Sequence, residues 1–239
     1  VFLLVDDVSH RRNQILAALS DDDFERLRPH LVEVDLVQGA PVFDAGEPAS
    51  HVWFPHSGMI SIVAGNPHGE AVEVATVGFE GMTGVSLVLG SETMTNDAMV
   101  QVAGRGSRME ATAFRAAVEA SASLKQMLLR YVLAVITQIS QNAACYQYHG
   151  INSRCARWLL TARDRVAGDS FGLTQEYLAM MLGVTRPSVS TAAGALRAAG
   201  LIKYSRGIVT ILDRDGLESA SCECYRIIEN EFARLRGAG

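Results

Sequence analysis

The sequence predicts an α+β protein in three parts: a β-rich N-terminal roll, one long helix, and a C-terminal helix-turn-helix with a two-stranded wing. Three observations predict it. Short runs of Val, Ile and Phe alternate with Gly, Pro, Asn and Asp clusters over residues 31–108. Helical periodicity follows over 111–149. The segment QEYLAMMLGVTRPSVSTAAG at 175–194 then holds an alanine, a glycine and a valine at the spacings a helix-turn-helix requires. At 239 residues and 49% hydrophobic content the chain can fill more than one core, with expected boundaries at 1–110, 111–149 and 150–239.

A short helix over 15–27 opens the chain, and its Leu16, Leu19 and Phe24 cover one end of the roll. Strands are expected at 31–37, 41–43, 51–54, 59–63, 71–76 and 98–103, a spacing that suits a β-sandwich or roll. In the long helix, Leu124, Leu128, Tyr131, Val135, Gln138, Asn142 and Cys145 recur in steps of four and three, the pattern of a coiled-coil seam. A homodimer held by Leu124, Leu128, Tyr131 and Val135 follows as the expectation, with Gln138 and Asn142 setting register. Beside them Val132, Ile136, Ile139 and Ala143 form a second apolar face, which suits packing on the β-domain.

In the helix-turn-helix, Leu178, Ala179 and Leu182 share one face, Gly183 permits the turn, and Val184 fills the corner. Thr185 is a natural N-cap, and Pro187 stands in the first turn, where a missing N–H is harmless. Val189, Ala192 and Leu196 face inward and Gly200 ends the helix. Thr185, Arg186, Pro187, Ser190 and Thr191 are left outward, in position to reach base edges in a major groove. Residues 201–204 and 208–212 read as a hairpin turned at Ser205, Arg206 and Gly207, so Lys203 and Arg206 offer cations to phosphates. The two together predict a reader of double-stranded DNA.

Charge is distributed to match. Residues 1–150 carry nine Lys and Arg against seventeen Asp and Glu, whereas 151–239 carry twelve against nine, so the helix-turn-helix half is net positive within a chain of net −5. The apolar run over 1–5 ends at Asp6 and Asp7, too short for a signal peptide or a membrane span, which predicts a soluble cytoplasmic protein with no membrane partner. Four cysteines without a CxxC pair suit a reducing cytosol. Cys224 falls with Leu217, Ser221, Ile228, Phe232 and Leu235 on the face of one expected C-terminal helix, and Cys222 lies off that face. Cys145 and His149, four apart, are weak candidates for a haem, zinc or redox role; no metal and no cofactor is expected. No phosphate loop, nucleophile elbow or HExxH is present, so an enzyme is not expected.

This order of parts resembles the family of the cyclic AMP receptor protein and the fumarate and nitrate reduction regulator over nearly the whole chain. It does so through HVWFPHSGMISIV at 51–63, VGFEGMTG at 77–84 and the DNA-binding segment with its wing. The resemblance implies a cyclic-nucleotide-binding-like roll that senses a signal. It also implies a homodimeric bacterial transcription regulator on a palindromic operator, with RNA polymerase as a further partner if it activates. Arg186 is similar to the family's base-reading arginine.

The pattern also departs. Gly78, Glu80, Gly81, Asn96 and Asp97 occupy the region that holds a nucleotide in such rolls, but Glu80 comes two residues after Gly78, and Asn96 and Asp97 stand where an Arg-Ser pair would hold the phosphate. The cation is missing and a carboxylate takes its place, so the signal is expected to be something other than cyclic AMP. An iron–sulfur sensor is excluded near the N-terminus, because residues 1–144 contain no cysteine. Two alternatives remain: a signal-binding protein whose winged helix serves protein contacts, or a Cys/His-based haem or redox sensor of the same fold.

Overall fold

The computed structural model describes residues 9–66, 68 and 71–236. The apolar run over 1–5 lies outside the described residues. Asn13 and Ser20 each cap a helix through their side-chain oxygens, so the expected helix over 15–27 is two, α1 (Gln14–Ala17) and α2 (Asp21–Leu27). Leu16, Leu19 and Phe24 are buried, as expected.

The roll is an antiparallel sheet of β1 (Val32–Leu36), β2 (Pro41–Phe43), β3 (His51–Gly65), β4 (Ala71–Val77) and β5 (Asp97–Glu110) in the order β1-β5-β3-β4, with β2 also paired to β5. The expected strands at 51–54 and 59–63 are one strand, β3, whose register shifts around Gly58. Gly58 has φ +82°, and a Cβ there would stand 2.6 Å from the carbonyl oxygen of Val102, so only glycine fits this bend. A short helix α3 (Val85–Val88) closes the roll.

The helical stretch over 111–149 is α4 (Ala111–Ala120) and α5 (Ala122–Tyr148), broken at Ser121, whose extended backbone and hydroxyl cap the second helix. The seam is a correction. Leu124, Leu128, Tyr131 and Val135 are at most 8% exposed and pack into the chain's own core with Phe54, Met82 and Phe114. Exposed instead are Leu129, Leu133, Ile136 and Ile139, at 40–57%. Polar partners settle the choice between two apolar faces. The Tyr131 hydroxyl donates to Met82 O at 2.7 Å, Gln138 Oε1 accepts from Thr76 N at 3.1 Å, and Asn142 donates to Val74 O at 2.9 Å. The two amides read as register setters thus hold α5 to the roll.

The rest of the chain forms α6 (Ile151–Arg163), β6 (Ser170–Gly172), α7 (Gln175–Leu182), α8 (Arg186–Ala198), β7 (Ile202–Ser205), β8 (Ile208–Ile211), α9 (Arg214–Ala220) and α10 (Cys224–Arg236). Strand β6, not foreseen in the sequence, joins the wing in a sheet of order β6-β8-β7. The single C-terminal helix expected after Gly216 is two, with Ser221 extended between them. Its second half, α10, returns to the N-terminal core: Ile228 and Phe232 are buried there, and the Phe232 ring lies 6.2 Å from that of Tyr131. Among the described residues no helix is long and apolar enough to cross a membrane.

Candidate nucleic-acid interface and sensor cavity

Helix α7 begins at Thr174, whose hydroxyl accepts from Tyr177 N at 3.2 Å, and ends at Gly183 in the left-handed region, φ 60°. The inward residues named from the sequence, Leu178, Ala179, Leu182, Val189, Ala192 and Leu196, are all buried. Arg154 of α6 donates to Leu182 O at the end of α7 and fixes the pair from behind. Helix α8 therefore presents Thr185, Arg186, Pro187, Ser190 and Thr191 to solvent. Thr185 sits at the N-cap, but its hydroxyl meets Ser188 Oγ at 2.9 Å and no backbone N–H. Thr191 donates back to Pro187 O at 3.1 Å, and Ser190 donates to Gln175 Oε1 at 3.2 Å.

The wing turns at Arg206 and Gly207, both with positive φ, 51° and 75°, the two-residue geometry that matches the twist of a hairpin. Lys203 and Arg206 are exposed. Arg186, Ser190 and Arg206 line one concavity of about 380 Å³ together with Arg197 and Gln175. Arg197 and Gln175 were not assigned to the interface from the sequence. Arg197 follows Arg186 by three helical turns, and that spacing on the face of a recognition helix is the signal that could have found it.

In the roll, a cavity of about 320 Å³ opens between the sheet, α3 and α5, lined by Phe43, Val77, Leu89, Met94, Asn96 and Tyr131 among others. Among the described residues no charged side chain lines it. Of the five residues expected around an effector, only Asn96 reaches this cavity. The Asp97 carboxylate instead accepts from Ala45 N at 2.8 Å and holds a loop. Gly78 and Gly81 make room for neighbours: a Cβ would lie 2.3 Å from Arg165 Cδ at the first and 2.5 Å from the Tyr131 hydroxyl at the second. Glu80 points to the other domain. It pairs with Arg165, just beyond α6, in a buried contact with side-chain exposures of 10% and 3%.

That pair is one of several ties between the halves. Gly58 N donates to Arg165 O at 2.7 Å, Gln38 donates to Gly172 O at 2.9 Å, and Trp158 Nε1 donates to Glu73 Oε1 at 2.9 Å. Burial raises the Glu73 carboxyl to about 7 against the pull of hydrogen bonds from Ser61 and Trp158.

Cys145 and His149 do not stand alone. The break between α9 and α10 turns Cys222 and Cys224 inward, so the four donor atoms lie within 4.8 Å of one another. On one straight helix Cys222 would face away and Cys224 would merely fill core; the break at Ser221 makes both neighbours of Cys145 and His149. Cys155 belongs to the helix-turn-helix core, where burial pushes its thiol up to about 12.

Residues 33–121 match a family model described as a cyclic nucleotide-binding domain, and residues 153–220 match one described as a Crp-like helix-turn-helix domain. A CRP-like cAMP-activated global transcriptional regulator of Mycobacterium tuberculosis is 25% identical over 198 residues, spanning 80% of this chain and 88% of that protein. Among solved structures, FixK2 from Bradyrhizobium japonicum superimposes with a TM-score of 0.65 at 14% identity, covering 80% of this chain and 98% of that one. TTHA1359, a CRP/FNR family transcriptional regulator of Thermus thermophilus, gives 0.63 at 18% identity over 80% of this chain and 98% of that one. At such identities the structures attest the fold.

Proposed function

The chain belongs to the Crp/Fnr family of transcription regulators, and from that premise we propose that it works as a homodimer reading a two-fold symmetric operator through paired α8 helices. The observation that carries this reading is the shared concavity of Arg186, Ser190, Arg197 and Arg206. A base-reading helix and a phosphate-gripping wing must face the same groove, and a shared concavity supports that arrangement. Arg186, at the start of α8, is the candidate for a bidentate contact to guanine. Arg206 holds a positive φ that ordinarily selects Gly or Asn, and a cation kept there at that strain has its use at a phosphate. Lys203 and Arg197 add further neutralisation. Ser190 and Thr191 supply short hydrogen bonds, and Pro187 supplies only shape, so operator choice leans in part on DNA deformability.

Dimerisation is assigned to the exposed face of α5. Leu129, Leu133 and Ile136 step by four and three, as a two-stranded seam requires, and no part of the described chain covers them. The cavity of the roll borders the same face through Ile136 and Ile139. A ligand there would touch the seam directly, which couples signal to subunit geometry and so to the spacing of the two α8 helices. The uncharged lining favours an apolar or neutral polar signal over a nucleotide.

Selection from random duplex DNA tests the proposal. Recovered sites should be two-fold symmetric with half-sites about one helical turn apart, roughly 34 Å. Binding without sequence preference, or binding of a single half-site by a monomer, would overturn it.

A further inference from the structure

We propose that Cys145, His149, Cys222 and Cys224 form a tetrahedral site for one zinc ion, a Cys3His clip that fastens the end of α5 to the corner between α9 and α10. Geometry carries it. The Cys145 and Cys222 Sγ atoms are 3.5 Å apart, Cys224 Sγ lies 3.5 Å from His149 Nδ1, and all four donors fall within 4.8 Å of one another. Bonds of about 2.3 Å to sulfur and about 2.0 Å to nitrogen, set at tetrahedral angles, space the donors of a single zinc by roughly 3.5–3.8 Å. Four donors so close converge on one ion.

The surroundings complete a zinc site. His149 turns Nδ1 inward, and its Nε2 meets Glu223 Oε1 at 3.1 Å, the carboxylate–histidine arrangement that fixes the tautomer of a metal-bound imidazole. Gln141 donates to Cys224 Sγ at 3.1 Å, a bond suited to a thiolate. Three thiolates and Zn²⁺ leave one negative charge, and the buried Arg157 guanidinium stands close enough to act on Cys145 and Cys222. Its Nε has no hydrogen-bond partner among the described residues. The three cysteines are nearly solvent-free, as in a closed structural site without an open ligand position.

Other metal chemistries fit less well. An iron–sulfur cluster binds its cysteines to different irons and spaces them farther apart than a single shared ion does. A porphyrin needs open space around its axial ligand, and four converging donors leave none. Soft thiolates with imidazole at tetrahedral spacing select zinc among the common divalent ions.

Position gives the site its meaning. His149 caps α5, and Gly150 separates it from α6, the first helix of the DNA-binding half. Zinc would lock this junction and join segments 77 residues apart. Retention or loss of the metal would then set how the recognition helices are carried.

Elemental analysis of the full-length protein, purified under reducing conditions without metal-affinity steps, tests this. About one zinc per chain is expected, retained after dialysis against a mild chelator. Cys222→Ser and Cys224→Ser should each lose zinc at least tenfold under the same dialysis, Glu223→Gln should weaken retention by about tenfold, and Cys155→Ser should keep it. Cobalt reconstitution of the unaltered protein should yield the visible absorption of tetrahedral cobalt–thiolate coordination, which requires no variant to fold. Protein that takes up neither zinc nor cobalt, iron with stoichiometric acid-labile sulfide, or a metal-free Cys145–Cys222 disulfide would each overturn the assignment.

Discussion

The guanidinium of Arg165 crosses the domain boundary to the carboxylate of Glu80, with Nε 3.0 Å from Oε1 and 3.1 Å from Oε2. Glu80, expected from the sequence beside an effector, thus ties the roll to the helix-turn-helix half. Arg165 Nη1 also donates to Thr76 Oγ1 at 2.9 Å, and its backbone oxygen accepts from Gly58. Removing one partner of a buried pair leaves an uncompensated charge, so Glu80→Ala should destabilise the protein by about 3 kcal/mol and lower Tm by roughly 6–12 °C. Hydrogen exchange at the Gly58 amide should quicken as the domains part. Unchanged melting and exchange would show that the pair is not the lock.

Arg186 and Arg206 should fail differently. Arg186→Ala is expected to lower specific affinity by about 1–3 kcal/mol and to relax preference at one symmetric base pair. Arg206→Ala is expected to weaken all operators evenly and to reduce the slope of log affinity against log salt by about one per contact. Anisotropy titrations over a panel of operator variants separate the two, and identical profiles would refute the division of roles.

The outward face of α5 can be tested against its inward face. Leu133→Glu with Ile136→Glu should yield a folded monomer, because both side chains are already exposed in one chain. Leu128→Glu should unfold the N-terminal half instead, since that side chain is fully buried. Light scattering paired with circular dichroism distinguishes the outcomes; a dimer that survives the first double change would move the interface elsewhere.

Glu73 sets a pH dependence of stability. Burial holds its carboxyl at about 7 against an ordinary 4.5, so between those values the native state carries a proton that the unfolded chain has lost. The contribution is fully present below about 4.5 and disappears as pH rises through about 7, a change of up to about 3 kcal/mol. Urea melts of Glu73→Gln across this window should be flatter than those of the unaltered protein. Parallel curves would assign the slope to other groups.

Cyclic AMP should not bind tightly, because a phosphate in the roll cavity would meet no cation among the described residues. Calorimetry on the unaltered protein decides this. Micromolar binding coupled to tighter operator binding would mean that the cavity is a nucleotide sensor.

Much of this architecture is local, and local features are what a sequence determines by itself. Gly183 at the turn, Pro187 in the first turn of α8, the inward Val189, Ala192 and Leu196, and Gly207 at the wing turn follow from backbone preference and helical period over a few residues. The roll was legible for the same reason, although Gly58 joined two expected strands into one and Ser121 divided one expected helix into two. Contacts between distant segments were decided only by the tertiary structure. Both faces of α5 are apolar, and the inward one was chosen by Thr76, Val74 and Met82, which offered backbone and side-chain partners to Gln138, Asn142 and Tyr131. Glu80 found Arg165 across 85 residues, and Cys145 found Cys222 across 77. Periodicity reports which side of a helix is apolar; which surface covers that side depends on how the whole chain closes on itself.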